Sequence, residues 1–565
     1  MPQRPALFPY PPPGVLRQAL PLWAFGLEGP WLARHLTAGL VVAAKDTPRL
    51  AGLADALAAW NFERSPLDAA FAASALPPAR RIGAGARPRA LCAALAKAIR
   101  PPQGTREARD WPRLRDGTDT EAGAAFLARG MDDAVHGLFW RGKAFDFALA
   151  RGLPKLARRV ADALAADPVL APVGARLAVE AAFAWDGPQA GLAALSACDR
   201  ELFPRFYALA LAHGLAEIGR TDDATTVLAD LWRAENWHPG LTLRLHTLLF
   251  PPAPADLDAM PGRAFVFLYT WNRAGLLART LASLAMSRLG PARVVVLDNG
   301  GTDDTEAVCR AAAGRFPPGR FAAIRLPVNI GAPAARNWLA ATARLEPEDR
   351  VAYLDDDVSL PAGWLENLVG ALRDDPQADV AGARVVAAAP RAAAAVQAAD
   401  VRLLPPDAAN TVRPLVNYGP GPDFGLNAAR RPCPSVSGCC HLLRGSALGG
   451  GAPFDIRFSP SQFDDLARDL HGFLAGRRAV YAGDLAVAHH QHAGPGQAST
   501  LAAVGQLCGA RTKLDGLFAA PDMSVAAARD AETAWAELEA KWREVRQALG
   551  DTACRVLSRA GSGAD

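Results

Sequence analysis

The 565 residues carry 61 Lys and Arg against 57 Asp and Glu, and a net charge of +4 at this length gives no argument for a nucleic-acid partner. Half of the residues are apolar and 21% are charged, which suits an ordinary globular chain of roughly two to four domains. Eight scattered cysteines (92, 198, 309, 433, 439, 440, 508, 554) make no CxxC framework. The Pro-rich start leads to the expectation of no secretory leader, and no run of about 18 uncharged apolar residues occurs. The expected setting is cytoplasmic, with at most peripheral contact at the inner membrane face.

In chain order, residues 1 to about 76 read as mostly helical, with Trp23, Trp31 and Trp60 among short apolar runs. From about 77 to 118 the composition shifts to Arg with Pro and Gly (Arg80, Arg81, Arg87, Arg89, Arg100, Arg106, Arg109, Arg113, Arg115). This predicts a solvated basic linker or loop, with Leu91–Ile99 as a possible short helix and an anionic partner as the alternative use. The first region is placed at 1–135. Over 136–250 the pairs Gly152/Ala157, Trp185/Ala190 and Gly219/Ala224 share one offset and recur at 33 and 34 residues. Small residues (Ala178, Ala182, Ala212, Ala216) precede each turn. The period resembles tetratricopeptide-type hairpins, offering either a concave face to a protein or polymer partner or a brace for the next domain.

Pro251-Pro252-Ala253-Pro254 marks a linker, after which strands and helices alternate within a domain placed at 251–500. Continuous apolar strands are expected at 264–269, 293–297, 321–326 and 350–354, separated by helices at 274–287, 305–313 and 332–343. Strands that do not alternate imply a mostly parallel sheet covered on both faces, whose ligands gather at the strand carboxyl ends. Polar residues fall there: Thr270, Asn272 and Arg273, then Asp298 and Asn299, then Asn329, then Asp355-Asp356-Asp357. Three adjacent carboxylates after a buried strand repel one another, and Mg²⁺ or Mn²⁺ is the usual remedy. A solvated acidic turn is the alternative. No G-x-G-x-x-G or Walker A loop is present, so side chains and metal must hold any nucleotide.

These segments resemble family 2 glycosyltransferases of the GT-A fold. Tyr269-Thr270-Trp271-Asn272-Arg273 is similar to P-T-Y-N-R, and Asp298-Asn299-Gly300-Gly301-Thr302-Asp303-Asp304-Thr305 to D-N-G-S-T-D-G-T. Asn329 to Asn337 is similar to N-x-G-x-x-x-A-R-N, and Leu354-Asp355-Asp356-Asp357 to D-x-D. Tyr269, Trp271 and Gly301 depart from the family's proline, tyrosine and serine. The resemblance implies a nucleotide-sugar site of Thr270, Trp271, Asn272, Arg273, Asp298, Asn329, Arg336, Asp355 and Asp356. Within it Asp298 would meet the base, Trp271 would offer a stacking surface and Arg336 would meet the base or diphosphate. No separate role falls to Asp356. Metal would be held by Asp355 and Asp357, with His489 as a third ligand and His490 and His492 as alternatives.

On the acceptor side, Ser435 to Arg444 is similar to the family's strand from Gly to Arg. Cys439, Cys440 and His441 within it are zinc-type residues, but strand neighbours face opposite ways and no second ligand pair follows, so packing is expected. Phe463-Asp464-Asp465-Leu466 is similar to the E-D-x-D-L helix start, implying Asp465 as general base with Asp464 second. Macrodipole-favoured helix acids are the plain alternative. Past 500, Val525–Leu549 is amphipathic (Trp535, Leu538, Trp542, Val545) and should pack on the enzyme or another subunit, ahead of a disordered tail at 561–565.

The resemblance implies an inverting, Mn²⁺- or Mg²⁺-dependent transferase moving sugar from a nucleotide-diphosphate sugar, UDP-linked by default. Its acceptor would be a cell-envelope glycan, a lipid-linked glycan or a protein. Alternatives are an inactive scaffold that binds a protein or polymer through its helices, or a nucleotidyltransferase.

Overall fold

The computed structural model describes residues 13–17, 30–46, 50–75, 86–393, 395–415, 418–449, 453–490 and 501–560. Up to residue 250 every element described is helical. Successive helices from Gly137–Arg151 to Pro239–Leu249 pack on one another along the chain. Three of the turns between them use glycines at positive φ: Gly152 (+72°), Gly187 (+91°) and Gly219 (+82°). The second turn glycine is Gly187, just past Trp185, so the expected repeat register drifts there.

From residue 86 on, the basic stretch is helical rather than a linker. Ala86–Ala98 and Arg106–Asp116 are helices, and Leu91, Cys92, Leu95, Ile99 and Trp111 are buried. Apolar residues at helical spacing outweigh the surface charge, which is spent within the molecule. Arg87, for example, holds Asp199 at 2.5 Å and Glu201 at 2.7 Å. Arg80 and Arg81 lie outside the described residues.

The second half is a mixed ten-stranded sheet. Its strands are β1 (Ala264–Thr270), β2 (Arg293–Asp298), β3 (Phe321–Arg325), β4 (Arg350–Leu354), β5 (Val358–Ser359), β6 (Ala378–Ala387), β7 (Val396–Ala398), β10 (Arg430–Cys433), β11 (Cys440–Arg444) and β12 (Arg478–His489). A separate ribbon is formed by β8 (Arg402–Leu404) and β9 (Arg413–Leu415). The half β3-β2-β1-β4 is parallel, as its unbroken apolar runs require, and is buried except at the edge strand β3. Beyond β4 the sheet turns mixed, because β11 enters antiparallel between β4 and β6.

Register decides which residues meet. Thr270 lies beside Asp298 and Leu354 beside Cys440, so the loops after these strands open on one edge. β5 pairs with the end of β12, setting His489 opposite Val358, the residue after Asp357. On the other flank of β12, His489 pairs with Ala387 of β6. β7 then adds to β6 with Val385 opposite Ala398 and Val386 opposite Val396, leaving Gln397 as the extra residue of a bulge.

The helix Ala520–Ala560 crosses back over both halves. Trp535, Leu538, Trp542, Val545 and Leu549 are buried in the core of the helical region, where Trp542 meets Trp232 at 5.8 Å between ring centres. The same helix reaches the sheet side through Asp530, which binds Arg402 at 2.8 Å and the Leu403 amide at 2.9 Å. Its apolar stripe thus covers the chain's own helices. Residues 561–565 lie outside the described residues. No helix among the described residues is long and apolar enough to cross a membrane, and the seven cysteines whose side chains are described are free thiols.

Candidate active site

A cleft of about 400 Å³ opens at the carboxyl edge of the sheet. Its walls include Thr270, Trp271, Arg273, Asn329, Arg336, Asp355, Asp356, Asp464, Asp465 and His489. Residues drawn from five separate segments of sequence therefore converge on one space, of a size usual for small-molecule sites.

The three carboxylates after β4 divide at once. Asp355 accepts the Tyr269 hydroxyl at 2.9 Å and lies 3.8 Å from Arg336 Nη2. Burial raises its carboxyl above the usual range, despite nearby Arg336 and His489. Asp356 turns toward the protein, accepting the Thr270 hydroxyl at 2.6 Å, while its carbonyl takes the Thr280 hydroxyl at 2.9 Å. Desolvation pushes Asp356 up to about 6, and its work is to hold the loop against β1 and the next helix. Asp357 is almost fully buried and is held below the usual carboxylate range. Burial opposes this, but His489 and Arg273 outweigh it.

Asp357 Oδ2 receives Arg273 Nη1 at 3.0 Å. Its Oδ1 lies 2.9 Å from His489 Nε2 and has no other partner among the described residues. Asp355 Oδ2 is 4.0 Å from the same nitrogen. Asp355 and His489 could therefore share a divalent metal, with Asp357 set against the histidine.

Of the histidines expected here, His489 sets its Nε2 toward Asp355 and Asp357. His490 turns its ring to the Ser359 hydroxyl at 2.7 Å, and His492 lies outside the described residues. The His489 Nδ1 meets Gln397 Oε1 at 3.1 Å, which directs Nε2 toward the carboxylates.

Across the cleft, Asp464 and Asp465 begin the helix Asp464–Leu474. Asp464 is buried in an ion pair with Arg336 at 2.5 Å, and burial pushes its carboxyl up despite that guanidinium. Asp465 is half-buried, accepts the Gly438 amide at 2.7 Å and the Leu466 amide at 2.8 Å, and lines the cleft. A Cβ at Gly438 would stand 2.8 Å from Asp465 Oδ2 and 2.9 Å from Arg336 Nη2, so only glycine allows this approach. Asp465 is thus the carboxylate left to act on a bound group.

Two expected donor residues make contacts within the frame. Asp298 is buried, accepts the Gly301 amide at 2.7 Å and does not line the cleft. Asn272, at φ +53°, uses its side-chain oxygen to accept the Thr302 amide at 2.7 Å and likewise is not part of the wall. Asn329 accepts from Asn299 and from the Gly331 amide, but stays on the wall. Trp271 is 51% exposed at the mouth, a free aromatic face.

Three residues escaped the sequence reading of the site: Tyr269, Gln397 and Cys439. Tyr269 stands where a proline was expected, and its hydroxyl orients Asp355. Gln397 gave no signal, because it depends on a bulge. Cys439 was expected merely to pack. It is buried, but its sulfur lies within 4.8 Å of an Asp355 oxygen and a His489 nitrogen.

Residues 265–448 match the family model described as glycosyl transferase family 2. No curated protein matches the chain. Three solved structures show its range of likeness. A mannosyltransferase from Pyrobaculum calidifontis, in complex with GDP-Man and Mn²⁺, is 18% identical over 63% of this chain and 91% of its own, with a TM-score of 0.34. GalNAc-T7 with UDP, GalNAc and Mn²⁺ is 14% identical over 43% of this chain and 46% of its own (TM-score 0.34). TarS of S. aureus is 16% identical over 41% of this chain and 37% of its own (TM-score 0.29). The chain thus spans less than half of the length of the last two.

Proposed function

We propose that this chain, whose residues 265–448 are a glycosyltransferase family 2 domain, moves a sugar from a nucleotide-diphosphate sugar to an acceptor hydroxyl by direct, inverting displacement. The observation that carries this reading is the meeting in one cleft wall of Asp355, 4.0 Å from His489, with the cleft-facing carboxylate Asp465. Asp465 takes the proton of the acceptor hydroxyl as its oxygen attacks the anomeric carbon. Arg336 neutralises Asp464 beside it and leans toward Asp355, so the cleft can accept a diphosphate without a second unpaired acid nearby. Trp271 offers its exposed ring to the base. A bound divalent cation, Mn²⁺ or Mg²⁺ on the family's chemistry, neutralises the charge that develops on the departing diphosphate.

UDP is the default nucleotide, and the acceptor classes are glycan, lipid-linked glycan or protein. The helical half supports no separate partner reading of its own, because much of its apolar surface is spent on the catalytic half and on Ala520–Ala560. A nucleotidyltransferase is disfavoured by a first turn that holds no Gly-rich, Lys-containing loop, and an inactive scaffold by the intact set Arg336, Asp355, Asp357 and Asp465.

The test is calorimetric. With Mn²⁺ present, Asp357→Ala should weaken UDP binding by at least ~10-fold, a size seen when one ligand set is broken, and should abolish turnover. Unchanged metal-dependent affinity would remove the metal assignment.

A further inference from the structure

We propose that Cys439 is a thiolate ligand of the metal at this site, so that the site takes a thiophilic divalent ion such as Zn²⁺ or Co²⁺ in preference to Mg²⁺. The proposal rests on the metal reading above and goes beyond it in naming a ligand and an ion class. Among the described residues, Asp355, Cys439 and His489 are the group whose donor atoms all lie within 4.8 Å of one another. Bonds of about 2.0–2.3 Å to oxygen, nitrogen and sulfur let one ion span such a triangle.

The three donors come from three strands, and each is fixed independently. Asp355 and Cys439 are locked side by side by the Leu354–Cys440 register and by the Asp355 amide, which donates to the Cys439 carbonyl at 2.9 Å. His489 is brought in by its pairing with β5, and Gln397 Oε1 at its Nδ1 leaves Nε2 bare toward the carboxylates. Asp357 Oδ1 lies 2.9 Å from that Nε2 but falls outside the group. One carboxylate oxygen, one imidazole and one sulfur form a three-ligand set typical of borderline-soft ions that leaves a fourth position open to the diphosphate, whereas Mg²⁺ keeps to oxygen and water. On ligation the Cys439 S–H bond breaks, its proton passes to solvent, and the sulfur's electron pair forms the metal bond.

Cobalt reports the bond directly. Full-length protein titrated with Co²⁺ should develop a near-ultraviolet sulfur-to-cobalt charge-transfer band. The band should vanish in Cys439→Ser and persist in Cys508→Ser, whose thiol is exposed and remote from the group. Zn²⁺ affinity should fall ~10–100-fold in Cys439→Ser, the usual cost of losing a metal partner, while Mg²⁺ affinity changes less than about threefold. Cys439→Ala and the melting temperatures of both variants separate ligand loss from misfolding. Cobalt binding without the band, or a band that survives in a folded Cys439→Ser, overturns the thiolate and leaves the metal reading standing. Failure of wild type to bind any divalent ion overturns both.

Discussion

Asp464 and Asp465 are neighbours in sequence with opposite fates. Asp464 is buried against Arg336, while Asp465 is held by two amides and faces the cleft. Asp465→Asn keeps the shape and the Leu466 side of that cradle but loses the base. Transfer should drop about 10²–10⁴-fold with UDP affinity unchanged. Asp464→Asn should instead free Arg336 and weaken donor binding; equal kinetic profiles for the two variants would undo the division of roles. Both residues were reached through the resemblance of Phe463-Asp464-Asp465-Leu466 to the family's E-D-x-D-L helix start, which put Asp465 first and Asp464 second. The physical ground for separating them, the ion pair with Arg336, arrives from 128 residues away. Cys439 was missed for the same reason: a search for paired Cys/His spacing cannot see ligands that three strand ends deliver one at a time.

Among the elements, the parallel strands were legible because burial on both faces writes an unbroken apolar run. In the mixed half β11 was reached through the resemblance at Ser435 to Arg444, whereas β5 and β7 have only two and three residues, and β5 owes its placement to β12, far along the chain. The basic stretch misled because arginines that serve ion pairs have the same composition as arginines in a linker. The loop between β6 and β7 matters most to the site. The Pro390 carbonyl in it accepts the Trp185 indole at 2.9 Å, and the Ala393 amide donates to the Ala184 carbonyl at 2.9 Å. A Cβ at Gly152 would stand 2.5 Å from the Pro390 carbonyl oxygen. Helix turns therefore clamp the loop that ends in Gln397, the partner of His489. Gln397→Leu should weaken metal binding ~10-fold or more without lowering the melting temperature, and Gln397→Glu, which retains the acceptor, should restore most of it. Equal losses in both variants would show that the amide oxygen has no orienting role.

Over the whole molecule, the helical region, the segment 387–429 and the helix Ala520–Ala560 share one core, with Ala392, Phe424 and Trp542 among its members. Removing the first 250 residues would strip that core, so the role of the helical half is better tested by point substitution than by truncation. Gly152 offers such a probe. Its φ is +72° and a Cβ there would stand 2.5 Å from the Pro390 carbonyl oxygen. Gly152→Ala should therefore lower the melting temperature, and an unchanged melting temperature would show that this turn does not hold the loop. The central claim concerns chemistry, and a panel of nucleotide-sugars incubated with full-length protein and divalent metal tests it most directly. The account predicts metal-dependent release of a nucleoside diphosphate from at least one donor, lost in Asp357→Ala. Nucleoside monophosphate as the product, or release that persists in chelator, would contradict it.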